Sequence, residues 1–386
     1  MKLLVITYRW PPSAQVGAVR PSRIAASLAQ SGWEVHALSA RAENGRSVVY
    51  DRPPSLVRAT ALPQANRAMW PLAAVRAGSR LIRAHGIEAV LSSSPLEGAH
   101  WSAAILSRQH RIPWVADLRD LWSLDHYRPF SEWKRRLLGV VERSLLRRAS
   151  AVVTVSEGMA EAERQLLGPG APEIRVIPNG YDPDEWSVHY PAAPPGAGLY
   201  LVYAGKLHPD YQDPRPFFEG LRMFLEHRPA RNVRAEFFLT GYRRPDVIDQ
   251  ARRCGLPDGV VIVRPPLVRS ELTRVMSGCS ALLIFPWQGP YGDGWVPMKL
   301  FDCFGARRPA LVVGAKISGA LERMVGETRL GACLRSSQDV AQFLEQHERV
   351  LETLTWGCDE ERTVAFSFPA QARRFADVLE SARRPA

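Results

Sequence analysis

The sequence lacks several signatures that would place it quickly. No Cys-X-X-Cys pair occurs. The five cysteines, Cys254, Cys279, Cys303, Cys333 and Cys358, are odd in number and widely spaced, which argues for buried thiols and against a disulfide framework or a zinc site. No apolar run approaches the roughly 20 residues that a membrane-spanning helix needs. The opening MKLLVITYRWPP holds too short an apolar segment for a secretory leader and runs into a polar loop, so a cytoplasmic protein is expected. No Gly-Lys-Ser/Thr follows the first glycine-bearing loop, which excludes a Walker phosphate loop. The Gly-X-Gly-X-X-Gly fingerprint is missing as well. Glu43 stands where a ribose-binding acid would follow a second strand, yet without those glycines a dehydrogenase reading fails. There is no short-period repeat and no low-complexity tract.

What is present is a globular composition, 46% hydrophobic and 23% charged, over 386 residues, a length that predicts two domains. The formal net charge of +11 points to anionic partners such as nucleotides, phosphorylated substrates or a membrane surface, or else to a merely soluble basic surface. Nucleic acid is not expected, because no reading motif accompanies the charge. KLLVITY, SRIAASLAQSG and EVHALSA read as strand, helix and strand, and the alternation continues through EAVLSSSP, PWVADLRD, AVVTVSE and IRVIPNG. A Pro/Ala/Gly-rich stretch, SVHYPAAPPGAG, interrupts it. The pattern then restarts at GLYLVYAG and runs to PALVVG. The predicted fold class is α/β, with two doubly wound parallel-sheet domains facing a cleft. Their expected bounds are 1–187 and 199–365, with a linker at 188–198 and a closing helix over 366–386.

Sheets of this kind bind ligands beyond the carboxyl ends of their strands. Five segments stand there. PPSAQVGAVRPSRI places Gly17 near a helix start, where backbone amides can approach an anion or a sugar, or where a plain connection runs. The segment SSSPLEGAHWSAAILSRQHRIPWVADLRDLWSLD brings His100, Asp117, Arg119 and Asp120 forward. Against functional roles stand a hydrogen-bonded core histidine and a structural ion pair. VIPNGYDPDEW offers Asn179 before Gly180, a turn signal by itself. LVYAGKLHP sets Lys206 after Gly205, a point charge suited to a diphosphate or a solvated surface lysine. In YGDGWVPMKLFDCFGARRP, Pro297 suits a helix start whose amides, with Lys299, make an anion site; Asp302 shares the face of Lys299. A sixth segment, FSEWKRRLLGVVERSLLRRAS, is basic and amphipathic, fit to pack on its own sheet or to lie on an anionic membrane.

Taken in order, these segments resemble the GT-B glycosyltransferases, and within them the retaining nucleotide-sugar transferases of family 4 in bacteria. The resemblance covers nearly the whole chain. It implies transfer of a sugar from a UDP- or GDP-type donor to a saccharide, lipid-linked or small-molecule acceptor, with retention and without a metal or other cofactor. It further implies that Lys206 and Lys299 stabilise the leaving diphosphate, with Asp293 near the donor sugar and Asp302 on the ribose. Donor contacts are expected at Gly17, Asn179, Gly205, Gly241, Leu267, Gly294 and Leu300, and acceptor contacts at His100, Asp117, Arg119 and Asp120. The segment FPAQARRFADVLESARR resembles the family helix that crosses back to the first domain. The family usually has two glutamates eight residues apart; here the positions are Gly294, beside Asp293, and Asp302. A second family cation is missing where Asp210, Tyr211 and Gln212 stand. A non-catalytic GT-B protein that scaffolds a partner transferase is therefore the alternative reading.

Overall fold

The computed structural model describes residues 1–11, 16–40, 57–62, 69–125, 128, 130–186, 198–229, 231–240, 244–288 and 294–383. The chain divides into two units, one built from residues 1–180 with 367–386, the other from residues 181–366. Gly241, Asp293 and Glu43 lie outside the described residues.

The first unit strings together β1 (Lys2–Thr7), α1 (Val19–Gln30), β2 (Glu34–Ala40), β3 (Arg58–Leu62), α2 (Trp70–His85), β4 (Ala89–Ser93), α3 (Gly98–His110), β5 (Trp114–Leu118), α4 (Glu132–Leu146), β6 (Ala151–Thr154), α5 (Glu157–Leu167) and β7 (Glu173–Val176). The strands assemble in the order β3-β2-β1-β4-β5-β6-β7. Each of these pairings is parallel. Helices on both faces explain why the inner strands are apolar runs and not alternations: β4 and β5 are buried at every position. In this sheet only the edge strands β3 and β7 carry exposed positions.

The second unit repeats the plan with β8 (Leu199–Gly205), α6 (Arg215–His227), β9 (Val233–Leu239), α7 (Arg244–Arg253), β10 (Val261–Arg264), α8 (Arg269–Ser277), β11 (Ala281–Ile284), α9 (Met298–Ala306), β12 (Ala310–Val313), α10 (Gly319–Glu327), β13 (Gly331–Leu334), α11 (Ser337–Glu352) and α12 (Glu360–Val364). Its sheet is β10-β9-β8-β11-β12-β13, again parallel throughout. One core cluster, rich in phenylalanine (Phe217, Phe218, Phe224, Phe237, Phe285), fills one face; a second, around Phe301 and Phe304, fills the other. The last helix, α13 (Phe368–Arg383), returns to the first unit and packs along α1.

Arg20 is the pin of the first unit. It is fully buried, one residue into α1. Its Nε donates to both oxygens of Asp117 at 3.1 Å, and its Nη2 donates to Asp117 Oδ1 at 3.0 Å. Nη1 donates to the Pro178 carbonyl at 2.7 Å and Nη2 to that of Ile177 at 2.8 Å. The guanidinium plane lies 5.1 Å from the ring centre of Phe375 on α13. One side chain thereby ties the helix after β1 to the end of β5, the loop after β7 and the last helix. Charge-assisted bonds of this kind are strong because the fork matches its acceptors. Removing one partner leaves the other charge buried and alone. Arg20→Ala is expected to destabilise the chain by about 3–5 kcal/mol in a urea melt, while Arg20→Met combined with Asp117→Leu is expected to recover only part of that loss, because the Ile177 and Pro178 carbonyls still lose their donor.

Candidate functional site

Each sheet has one place where the strand order turns back, between β1 and β4 in the first unit and between β8 and β11 in the second. Loops leaving the carboxyl ends of such strands diverge and open a crevice, the usual ligand position in a doubly wound sheet.

In the first unit, Gly17 sits in a 3-10 turn, Val16–Ala18, that runs directly into α1. A Cβ there would lie 2.9 Å from Arg9 Cδ and 3.1 Å from Pro95 Cδ, so glycine lets the loops after β1 and β4 close on each other. Leu96, in the loop after β4, adopts a φ of 90°, a conformation costly for a residue with a side chain. Arg119 is pinned over this loop: its backbone amide donates to Ser94 Oγ at 3.0 Å and its Nε to the Ser94 carbonyl at 2.9 Å. Burial lowers its pKa, opposed by the charges of Asp120 and Asp117. Asp120 pairs with Arg119 at 3.8 Å and keeps about a third of its side chain in solvent, at 36%.

His100 is buried, and its Nδ1 lies 2.7 Å from Ser92 Oγ, which also accepts from Trp114 Nε1 at 2.7 Å. Its Nε2 has no partner among the described residues. Burial pushes its pKa down to about 4, against the pull of Asp117 and Glu97, so the ring is neutral at pH 7. His100, Leu96, Asp120, Trp122 and Asp125 line a cavity of about 40 Å³, room for a water molecule but not for a sugar ring. Asp117 is 2% exposed, and its oxygens accept from Arg20 and from Ser93 Oγ at 2.7 Å. It holds the strand end in place and does not face solvent. Asn179 is also buried, with Oδ1 3.5 Å from Arg20 Nη1.

In the second unit, β8 ends on Gly205 with a φ of 116°, a backbone that a side chain would strain. Lys299, on the first turn of α9, reaches back to this turn. A Cβ on Gly205 would lie 3.1 Å from Lys299 Nζ. The ammonium stands 4.9 Å from the Tyr203 ring centre and 3.5 Å from the Lys206 carbonyl. Desolvation lowers its pKa to about 8, with Asp302 opposing. Lys206 is exposed beside it. His208 has its pKa lowered by burial first and then by Lys206 and Lys299. The helix opens at Pro297 without a side-chain cap among the described residues, and the Leu300 amide donates to the Pro297 carbonyl at 3.1 Å. These features gather positive charge on one loop pair.

Asp302 is more occupied than expected. Its Oδ1 accepts from Arg269 Nη2 at 2.7 Å, and Arg269 Nε donates to Glu185 at 3.0 Å. Leu300 is fully buried in the core under α9, where the half-buried Leu267 also packs, and Gly294 is half-buried. The segment 210–212, where the second family cation is missing, performs packing work. The Tyr211 ring stacks on Trp287 at 4.2 Å, Gln212 Nε2 donates to the Phe285 carbonyl at 2.6 Å, and the Gln288 amide donates to the Tyr211 carbonyl at 2.7 Å. The loops after β8 and β11 are thus clasped together.

Sequence reasoning missed three residues: Arg20, Arg269 and Glu142. Glu142 is buried in α4 and accepts from the backbone amides of Trp122 (3.3 Å) and Ser123 (2.8 Å), so it positions the loop that follows Asp120. Burial raises its pKa, and that of the neighbouring Glu163 still further. Among the described residues, one cluster has metal-ligand chemistry: Glu34, His36 and His85. It lies at the amino end of β2, away from the switch point, and Glu34 is already held by Lys2 at 3.4 Å and Arg58 at 3.3 Å.

Comparison with known proteins bears on this arrangement. Residues 17–180 match the family described as Glycosyl transferase 4-like domain. The glycogen synthase of Mycobacterium tuberculosis is 28% identical over 229 residues, 54% of this chain and 54% of that protein. The matched region thus spans about half the length of these curated relatives. Among solved structures, a sucrose-phosphate synthase from Thermosynechococcus elongatus superposes with a TM-score of 0.68 at 17% identity, covering 98% of each chain. A UDP-GlcNAc 2-epimerase from Neisseria meningitidis, bound to UDP-GlcNAc, gives 0.58 at 11% identity, covering 99% of this chain and 100% of that one. At such identities only the fold is shared. Residues 17–180 are therefore similar to the glycosyl transferase 4-like domain, and the chain shares with these solved structures a fold of two Rossmann-like parallel-sheet units.

Proposed function

We propose that this protein transfers a sugar from a nucleotide diphosphate donor to an acceptor hydroxyl with retention of configuration. The observation that carries the reading is Lys299, an ammonium held partly out of water against Gly205 at the switch point of the second sheet. An anion placed there gains a charge-assisted contact and neutralises a desolvated cation at once. Lys206 and the first turn of α9 add to the same field. In the reaction, the bond between the anomeric carbon and the diphosphate oxygen breaks, and its electron pair leaves with the diphosphate. The acceptor oxygen bonds to the anomeric carbon from the same face, and its proton passes to the departing phosphate oxygen. No protein nucleophile and no metal enters this scheme. Lys299 and Lys206 stabilise the charge that develops on the leaving group. Arg119 and Asp120, at the first unit's switch point, position the acceptor hydroxyl. Asp302 accepts from the ribose while Arg269 fixes its direction.

The test is a panel of UDP- and GDP-sugars read by thermal shift, followed by turnover with a saccharide or lipid-linked acceptor. One nucleotide sugar is expected to raise the melting temperature and to be consumed, with the anomeric configuration preserved in the product. Binding without transfer or hydrolysis would favour the scaffolding alternative, and a free epimerised sugar would overturn transfer altogether.

Two predictions follow from Lys299. Lys299→Ala is expected to weaken nucleotide diphosphate binding by roughly 10-fold to 100-fold, in line with a lost charge-assisted contact, measured by calorimetry. The pH dependence has a definite sign. The free ammonium has a pKa of about 8, and a bound diphosphate favours the protonated form. Affinity is therefore expected to hold below pH 8 and to fall as the pH rises past it. In Lys299→Arg, whose charge persists, the fall is expected to vanish.

A further inference from the structure

The helix α4 has two apolar faces, and the fold uses one. At about 100° per residue, Gly139, Glu142, Leu145 and Leu146 share a side, and all four are buried. Trp133, Leu137 and Val140 fall within an arc of about 60° on the opposite side, and they are 69%, 57% and 65% exposed. A helix that only packs on its own sheet keeps a polar outer face. Here the outer stripe is apolar but for Ser144 and is bordered by cations, Arg136 and Arg143 on one flank and Lys134 on the other, with Arg147 and Arg148 exposed in the turn that follows.

The stripe does not stand alone. On α3, Trp101 and Ile105 are 40% and 38% exposed, one turn apart, and on α2 Leu72 is 52% exposed ahead of the exposed Arg76 and Arg80. An open depression of about 420 Å³ joins the three helices, lined among others by Pro71, Trp101, Phe130, Lys134 and Leu138. The acids nearby are already engaged: Glu132 lies 3.9 Å from Arg136, and Glu97 lies 2.7 Å from Arg128. The cations of Arg143 and Arg147 are steadied by carbonyls of Leu166 and Leu167 at the end of α5, which orders them without cancelling their charge. Among the described residues no helix is long and apolar enough to cross a membrane.

We propose that this face of the first unit, α4 with the exposed edges of α3 and α2, docks on the interfacial region of an anionic lipid bilayer. The apolar stripe enters the acyl boundary while the flanking arginines and Lys134 meet the headgroups. The charge pattern decides between occupants. A second copy of the chain meeting this face about a two-fold axis would set the same arginines against each other. An anionic surface pairs with all of them at once. The proposal is independent of the transferase reading.

The experiment is flotation of the full chain with vesicles of phosphatidylglycerol and phosphatidylcholine in equal parts, or of phosphatidylcholine alone. Binding is expected to the mixed vesicles at low salt, to fall steeply as salt rises, and to be weak on the neutral vesicles. Trp133→Ser with Leu137→Ser is expected to lower partitioning roughly tenfold, with an unchanged melting temperature because both side chains are exposed. Lys134→Gln with Arg136→Gln and Arg148→Gln is expected to weaken binding and flatten its salt dependence. The proposal is overturned by absence of binding at low salt, by equal binding to neutral vesicles, or by serine variants that bind as the parent does. It is equally overturned if sedimentation velocity shows a dimer that the serine variants dissolve.

Discussion

The first unit depends on one buried guanidinium. Arg20 donates to a carboxylate and to two backbone carbonyls with geometry that a lysine lacks, and it has no access to water. The elements it joins come from four places in the sequence: the start of α1, the end of β5, the loop after β7 and α13. Since Asp117 is the residue before the last of β5, the pair also decides where Arg119 and Asp120 emerge. Packing of this kind is unforgiving, because every acceptor Arg20 satisfies would otherwise be a buried polar group without a partner.

The two units use one design with different chemistry at the switch point. In the first, neutral and paired groups dominate: a neutral His100, an Arg119 anchored on the Ser94 backbone, and a half-open Asp120. Such a set can orient hydroxyls. In the second, cations gather at the strand end, with Lys299 and Lys206 beside His208 and Asp302 as the nearby acid. That set favours an anion. In the transfer proposed above, the first set would meet the acceptor's hydroxyls and the second the donor's phosphates.

Residues where the sequence departs from the pattern it resembles have local roles in the structure. Tyr211 and Gln212 clasp the loop after β8 to the loop after β11 through a ring stack, one side-chain bond to a carbonyl and one backbone bond. Arg269 meets Asp302 from α8. Arg269 also spans to Glu185, so the acid's position is braced from two elements. The sequence carried no sign of that brace, since the three residues lie in separate segments.

Patterning along the chain determined the alternation of strands and helices, the restart of the pattern near residue 199, and the segments that follow strand ends. These are local properties: apolar runs, helical spacing and turn residues act within a few positions. The order of motifs was enough to suggest the fold. What only the tertiary structure decided is which of the candidate side chains are free to act. Asp117 read as a ligand contact and proved to be the partner of an arginine 97 residues away. Leu300 read as a donor contact and lies in the core. Trp133, Leu137 and Val140 read as part of an amphipathic helix that could pack either way, and folding left them in solvent. Hydrogen-bond partners, burial and desolvation are set by residues distant in sequence, and one chain read in order contains no measure of that distance.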